Sequence, residues 1–488
     1  MSQAEGKMRN RAMPYYTALF AVALFAWLAH WVAVSTGATA NRAASGGGPK
    51  YIFLFLADGG GIPHLEITRQ YNRLLHDEGM VIVDHLLREG MMGVMTTHAG
   101  DSLSTDSAAA ATALAVGCKA NNGALGVCAD GTVTKTVMEL AKEGGMRIGL
   151  VTNAPVYDAS PAAFVCHVPN RRDYGAIVDR YLELEPDVIF GGGKDQFLPR
   201  GRPGSARQDD RDLIEAFAKK GYRYASDKQT LQDSRSGRVL GLFGLKEMNF
   251  EIDRDKSTEP SLSEMTRAAI RILHERNERG FLLFVENENI DTAGHLTDIA
   301  ALIHDYREFD RAVGMAYEFY KKYPRETLIL VTSDHETGGL GFTMALKDLS
   351  STRGSNRVAG TIEDLKKIAS VPMSLSKAAE TLGPRPTAKE IDRLMQEHFK
   401  GFTLAPEYRE AILEQRPISR TIFGNPTVHA LGMMIANQTQ AYWLTSGHTN
   451  HPVLVAALGP GAETFRGYYD NTDFGKRLKG IVAGREPR

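Results

Sequence analysis

Cysteine is scarce in this chain: Cys118, Cys128 and Cys166 are all it has in 488 residues. That is too few for a disulfide scaffold. An excess of one charge is also missing. Fifty-seven Lys and Arg against 58 Asp and Glu leave a formal net charge of -1. Neither nucleic acid nor an anionic membrane surface is indicated as the main partner, and no nucleic-acid partner is expected. No G-x-S-x-G elbow occurs, so a serine on the strained strand-to-helix turn of that motif is excluded. The glycine clusters Asp58-Gly59-Gly60-Gly61 and Gly191-Gly192-Gly193 match neither the dinucleotide fingerprint nor a phosphate-binding P-loop. There is no internal repeat. What remains is a globular composition, 43% hydrophobic and 24% charged, long enough for one large enzyme or two domains.

A long apolar stretch occurs at the N-terminus. Lys7, Arg9 and Arg11 precede Thr17–Val34, and Ala38-Thr39-Ala40 follows. Residues 1–40 therefore read as a secretory signal peptide. The run is also about the minimum length of a membrane span, so an uncleaved anchor over residues 17–34 is the alternative. No cysteine near its end offers a lipidation site. Export would place the chain in the periplasm or outside the cell. Cys118 and Cys128 are close in sequence and become candidates for pairing in such an oxidising compartment. Cys166, in the apolar stretch Ala162–Cys166, reads as a plain buried residue.

Several apolar runs read as strands buried on both faces of a parallel sheet: Tyr51–Ala57, Ile148–Val151, Asp187–Phe190, Phe281–Val285, Thr327–Val331 and Val453–Leu458. Between them, Ser107 opens an alanine-rich stretch, Ala108–Ala111, Thr112 and Ala113, which predicts a helix with its N-terminus at Asp106-Ser107. Pro260–Arg276 has helical spacing, with Ser261 or Ser263 as cap. Asp291 and His295 stand at i and i+4 and share a face if a helix begins there. Helical periodicity continues through Leu302, Tyr306, Phe309 and Val313. From about Lys347 to Asn425 the strands thin out. Short helices at Thr361–Ala369, Thr387–Phe399 (a Thr387/Glu390 capping box) and Pro406–Glu414 suggest a mostly helical insertion in a domain spanning residues 41–488.

The strands end in chemistry. Asp58 follows the first, Glu286 closes another and leads to Asp291 and His295, Asp334-His335 follow a third, and His448 lies in a glycine-flanked loop. In a parallel sheet such ends converge on the crevice where α/β proteins bind ligands. Several carboxylates cannot share a crevice uncompensated, and divalent metal is the natural answer. Asp and His suit zinc, and an oxygen-only subset suits magnesium.

These segments resemble the alkaline phosphatase family from Tyr51 to about Gly480, in family order: Thr105–Leu114 with Lys119–Val127, DASPAAFVCHVPNR, DVIFGGGKDQF, PSLSEMTRAAIRIL, GFLLFVENENIDTAGH, TLILVTSDHETGG and SGHT. The resemblance implies an α/β fold with a large, mostly parallel central sheet and helices on both faces. It implies hydrolysis of phosphate monoesters through a phosphoserine at Ser107. Arg171 would grip the phosphate, with Asp106 orienting it. Two Zn²⁺ and one Mg²⁺ per subunit are implied. Asp291, His295 and His448 would hold one zinc. Asp58, Asp334, His335 and Ser107 would hold the other. Asp58, Ser160 and Glu286 would hold magnesium, with Asp158 acting through water. A homodimer is implied as well. The chain departs from the family at Gly60, where Met is usual, at Ser160, often Thr, and at Thr292, often Lys, His or Trp; Asp158 matches only part of the family. A phosphodiesterase is disfavoured because a second ester group would crowd Arg171. A sulfatase motif is absent, and a non-catalytic phosphate binder would not need the nucleophile and the full ligand set.

Overall fold

The computed structural model describes residues 48–346, 357–418 and 424–484. The expected leader, residues 1–40 with its apolar run at 17–34, lies outside the described residues, as do 347–356 and 419–423 of the insertion. No helix among the described residues is long and apolar enough to cross a membrane.

A ten-stranded sheet organises the molecule. In chain order its strands are β1 (Tyr51–Ala57), β2 (Met91–Met95), β3 (Arg147–Pro155), β4 (Val188–Gly192), β5 (Tyr222–Ala225), β6 (Arg238–Leu242), β7 (Phe281–Asn287), β8 (Thr327–Thr332), β9 (Val453–Leu458) and β10 (Gly467–Tyr469). The spatial order is β10-β2-β9-β8-β1-β7-β3-β4-β6-β5. All pairings are parallel except those of β9, which runs antiparallel to both β2 and β8. The beginning of β9 therefore lies beside the end of β8, and this brings the His448 loop to the edge where the parallel strands finish.

The central strand shows why the sheet is apolar throughout. All of β1 is buried. Its alternate side chains go to opposite faces. Ile52, Leu54 and Leu56 join a core containing α2 (Ser107–Val116) and the C-terminal α6 (Asn471–Val482). Tyr51, Phe53 and Phe55 join Met265, Ala269 and Ile272 of α3 (Leu262–His274) and Phe309 and Val313 of α5 (Ile299–Lys322). Each large apolar side chain buried this way contributes about 1.5–3 kcal/mol. The edge strands β5 and β10, and β2 next to β10, are only partly buried, and none carries the long, fully buried apolar run that reveals the inner strands.

Helix α1 (Ile62–Tyr71) follows the glycine loop after Asp58, and the later helices follow their caps. Ser261 caps α3 with Glu264 completing a capping box. Asp291 and His295 do lie on one helix, α4 (Asn289–His295). The periodicity that continues beyond it belongs to a separate helix. Thr297 takes a left-handed φ of 54°, and Asp298 starts α5 by accepting a hydrogen bond from the Ala301 amide at 3.0 Å. A side-chain cap next to a left-handed residue ends one helix and starts another without a change in hydrophobic pattern. The described part of the insertion carries helices Ile362–Ala369, Leu375–Leu382, Ala388–His398 and Pro406–Glu414. Thr387 caps the third in a box with Glu390, and Ser374 caps the second, which the sequence reading did not single out. They pack with Leu302 and Ile303 of α5 and with Val428, Leu431 and Ile435 of the helix Pro426–Thr439. Cys118 and Cys128 form a disulfide with Cα atoms 5.7 Å apart, and Cys166 is a buried free thiol.

Candidate active site

Ser107 is the first residue of α2. Asp106 caps the helix, one oxygen accepting from the Ala109 amide at 2.9 Å. The other oxygen accepts from the Gly123 amide at 3.0 Å and from Arg171 Nη1 at 3.2 Å. Every residue of α2 is buried, and the alanines let the surrounding elements come close. The Ser107 hydroxyl is thereby held 3.2 Å from His335 Nε2.

Asp58 leaves the end of β1 and enters a tight loop. Gly59 adopts φ +65°, and a Cβ there would stand 2.5 Å from Asp291 Oδ1, so only glycine fits without a shift. This close approach lets two triads form at the strand ends, Asp58 with Asp334 and His335, and Asp291 with His295 and His448. Within each triad one donor atom per residue lies within 4.8 Å of the others. In the first, His335 Nε2 is 3.1 Å from Asp334 Oδ2 and 3.6 Å from Asp58 Oδ1. In the second, His295 Nε2 is 3.0 Å from Asp291 Oδ2 and 3.0 Å from His448 Nε2. His295 Nδ1 donates to the Ser446 carbonyl at 2.6 Å, and His448 Nδ1 to the Thr105 carbonyl at 2.7 Å. A carbonyl at Nδ1 fixes the tautomer and places the lone pair of each neutral ring on Nε2, toward the triad.

A third group lies beside Asp58. Ser160 Oγ donates to Asp58 Oδ2 at 3.0 Å, and Thr152 Oγ1 donates to Glu286 Oε2 at 2.6 Å. Asp158 Oδ1 accepts from Arg171 Nη2 at 3.3 Å. The guanidinium is thus held between Asp106 and Asp158. All the residues expected from the sequence, Asp58, Asp106, Ser107, Asp158, Ser160, Arg171, Glu286, Asp291, His295, Asp334, His335 and His448, meet at this edge of the sheet.

Charge is badly balanced among the protein groups alone. Burial, reinforced by Asp334, Asp291 and Glu286, pushes Asp58 well above the usual carboxylate range. Burial raises Asp334 to about 7, with Asp291 adding to it, and raises Glu286 to about 8, with Asp158 adding to it. Burial works against the charge on Asp291 as well, but His295 and His448 outweigh it and hold that carboxyl well below its ordinary value. Asp58 Oδ1, Asp334 Oδ2, Glu286 Oε1 and Glu288 Oε2 are buried without hydrogen-bond partners. Orphaned anionic oxygens beside imidazole lone pairs are the donor set a divalent cation satisfies, so these residues fit metal ions.

Sequence reasoning missed four residues. Thr337 Oγ1 donates to Asp291 Oδ1 and Thr152 holds Glu286. Glu288 accepts from Thr292 Oγ1 at 2.6 Å, and Glu336 is buried behind His335. Glu336 and Thr337 follow His335 by one and two residues in the chain, but their partners are far away in it. The site opens into a crevice of about 1090 Å³. Its walls include Tyr174, Lys246 and, from the insertion, Lys377.

The model of the family described as alkaline phosphatase matches residues 49–483. Alkaline phosphatase 3 of Bacillus subtilis is 31% identical over 440 residues, 88% of each chain. Alkaline phosphatase 4 of the same organism is 32% identical over 443 residues, 86% of each chain. Among solved structures, Thermus thermophilus alkaline phosphatase superposes with a TM-score of 0.79 at 29% identity, covering 91% of this chain and 93% of that one. With a serine and two metal-fitting triads at the strand ends and this extent of likeness, the chain belongs to the alkaline phosphatase family, metal-dependent hydrolases of phosphate monoesters.

Proposed function

We propose that this phosphomonoesterase works by two successive displacements at phosphorus, with Ser107 as nucleophile. The observation that carries the reading is convergence: Ser107, Arg171, Asp58 of the first triad and all three residues of the second line one crevice, with Asp334 and His335 buried behind Asp58. Asp291, His295 and His448 would hold one zinc ion, and Asp58, Asp334 and His335 a second, with Ser107 as its reactive ligand. Asp58, Ser160 and Glu286 would hold magnesium, with Asp158 acting through water. When bound, the cations supply positive charge that favours the serine alkoxide and offsets charge on the transferred phosphoryl group.

The residues of the chain do the rest. Arg171, gripped at both ends by Asp106 and Asp158, presents a rigid fork to two phosphoryl oxygens. The buried α2 N-terminus directs amide groups toward the same anion. Ser107 Oγ attacks phosphorus as the bond to the leaving oxygen breaks, giving a phosphoserine. Water then attacks opposite Oγ, the Oγ–P bond breaks, and inorganic phosphate leaves. Two in-line displacements give net retention at phosphorus, so a chiral phosphate ester yielding inversion would exclude the covalent route. Ser107→Ala is expected to abolish phosphoserine and lower kcat by roughly 10³-fold or more. Normal turnover in that variant would refute the assignment.

The wider setting completes the proposal. The disulfide and the basic, apolar and A-x-A order of residues 1–40 support export to the periplasm or exterior, with the leader cleaved or retained as an anchor through residues 17–34. The active form is a homodimer, which sedimentation or light scattering of the purified chain would test.

A further inference from the structure

Glu336 follows a zinc-site histidine in the chain, but its side chain points away from the crevice. Side chains alternate along an extended segment. Thr337, one residue on, reaches Asp291 in the second triad. Glu336 goes to the other side and is buried to 1% exposure. There it gathers three separate pieces of chain. One oxygen accepts from the Gly339 amide at 2.8 Å and lies 3.4 Å from His64 Nε2. The Gly61 amide donates to His64 Nδ1 at 3.0 Å, so the proton of the neutral ring sits on Nε2, on the side of the carboxylate but without a hydrogen bond to it. The other oxygen accepts from Thr449 Oγ1 and lies 3.5 Å from His451 Nδ1. The glycine loop after Asp58 also packs on the Glu336 stem: a Cβ on Gly61 would stand 2.1 Å from its Cγ.

Each tied segment carries a ligand next to the tie. Asp58 opens the loop that ends at His64. His335 precedes Glu336. His448 precedes Thr449. The backbone link between the last two is a ladder of two residue pairs, His448 with Thr337 and Thr449 with Glu336, continued at Gly338, whose amide donates to the Gly447 carbonyl at 2.9 Å and whose carbonyl accepts from the Leu444 and Thr445 amides. Behind that backbone link, the Glu336 side chain adds a hydrogen bond from Thr449 and close packing against the loop that follows Asp58. We propose that Glu336 is a positioning residue that holds the loops of both metal triads in register, joining Asp58 and His335 to His448 from behind; this rests on the metal assignment made above.

The test is zinc affinity of the full chain, measured by competition with a chromogenic chelator and set beside the melting temperature of the metal-free protein. Glu336→Ala is expected to weaken zinc binding by about 10–100-fold, the usual effect of losing a partner that orients ligands. Glu336→Gln should restore affinity to within a few-fold, because its amide oxygen can accept from Gly339 while its NH₂ group meets the Thr449 hydroxyl. If Glu336→Ala does not fold, Thr449→Val removes a single hydroxyl and is expected to weaken the site containing His448 and spare the site containing Asp58. The proposal is overturned if Glu336→Ala or Thr449→Val binds zinc like the unaltered chain, or if Glu336→Gln is as weak as Glu336→Ala. Absence of zinc binding by the unaltered chain would overturn the metal assignment itself.

Discussion

Arg171 shows how much a single side chain depends on its neighbours. Its guanidinium is fixed by Asp106 at 3.2 Å and Asp158 at 3.3 Å, so its remaining donors are held in place for the phosphate grip proposed above. Lysine would keep the charge and lose the planar fork. Arg171→Lys is therefore expected to lower kcat/KM by roughly 10²-fold, the scale of losing a preorganised donor, with little change in melting temperature. Asp106 has two duties, and they separate by measurement. Asp106→Ala removes the cap on Ala109, costing about 1 kcal/mol in a denaturant titration. It should also raise KM for phosphate esters by releasing Arg171.

At the level of elements, α2 is the rigid base of Ser107, the proposed nucleophile. Ala108 and Ala111 are completely buried, and both belong to the core on that face of the sheet. Ala111→Leu would force an extra branched side chain into that space, at about 1–3 kcal/mol. Because the shift would move Ser107 as well, activity should fall more steeply than stability, as read by parallel activity and unfolding curves. The disulfide closes the loop just after this helix. Replacing Cys118 and Cys128 by Ser is expected to cost about 2–3 kcal/mol by the loop-entropy estimate. It should leave Cys166 as the single titratable thiol of the unfolded chain.

At the scale of the whole molecule the acids of the crevice govern pH behaviour once cations are removed. Asp334 at about 7 and Glu286 at about 8 keep protons in the folded state that the unfolded chain has already released. His295, opposed by burial but raised to about 9 by Asp291, behaves likewise above the ordinary histidine value of 6.5. In that window the folded state binds more protons than the unfolded one, so stability falls as pH rises. Buried His335 and His448, held below 6.5, have opposite slopes, but these act only below that value. The melting temperature of chelator-stripped protein should thus drop from about pH 6.5 to 9. That of zinc- and magnesium-loaded protein should change less, because bound cations stabilise the ionised ligands. Equal slopes for the two forms would refute the role of this acid group.

Much of the site was legible in the sequence, for a local reason. A strand buried on both faces is a continuous apolar run, and Asp58, Glu286 and Asp334 stand at or just past the ends of such runs. Asp291 and His295 share a face because four residues make about one helical turn. Likeness to a known family supplied what spacing could not, the joint roles proposed for Ser107, Arg171 and His448. Tertiary structure decided the contacts between distant segments. His448 reaches His295 across 153 residues because β9 runs antiparallel to β8. Asp158 turns to Arg171, and the break at Thr297 separates two helices that share one hydrophobic period. Glu336 and Thr337 acquire partners only when three loops meet. Periodicity along the chain determines elements and the residues at their ends; which ends meet depends on strand order and direction, which no local pattern encodes.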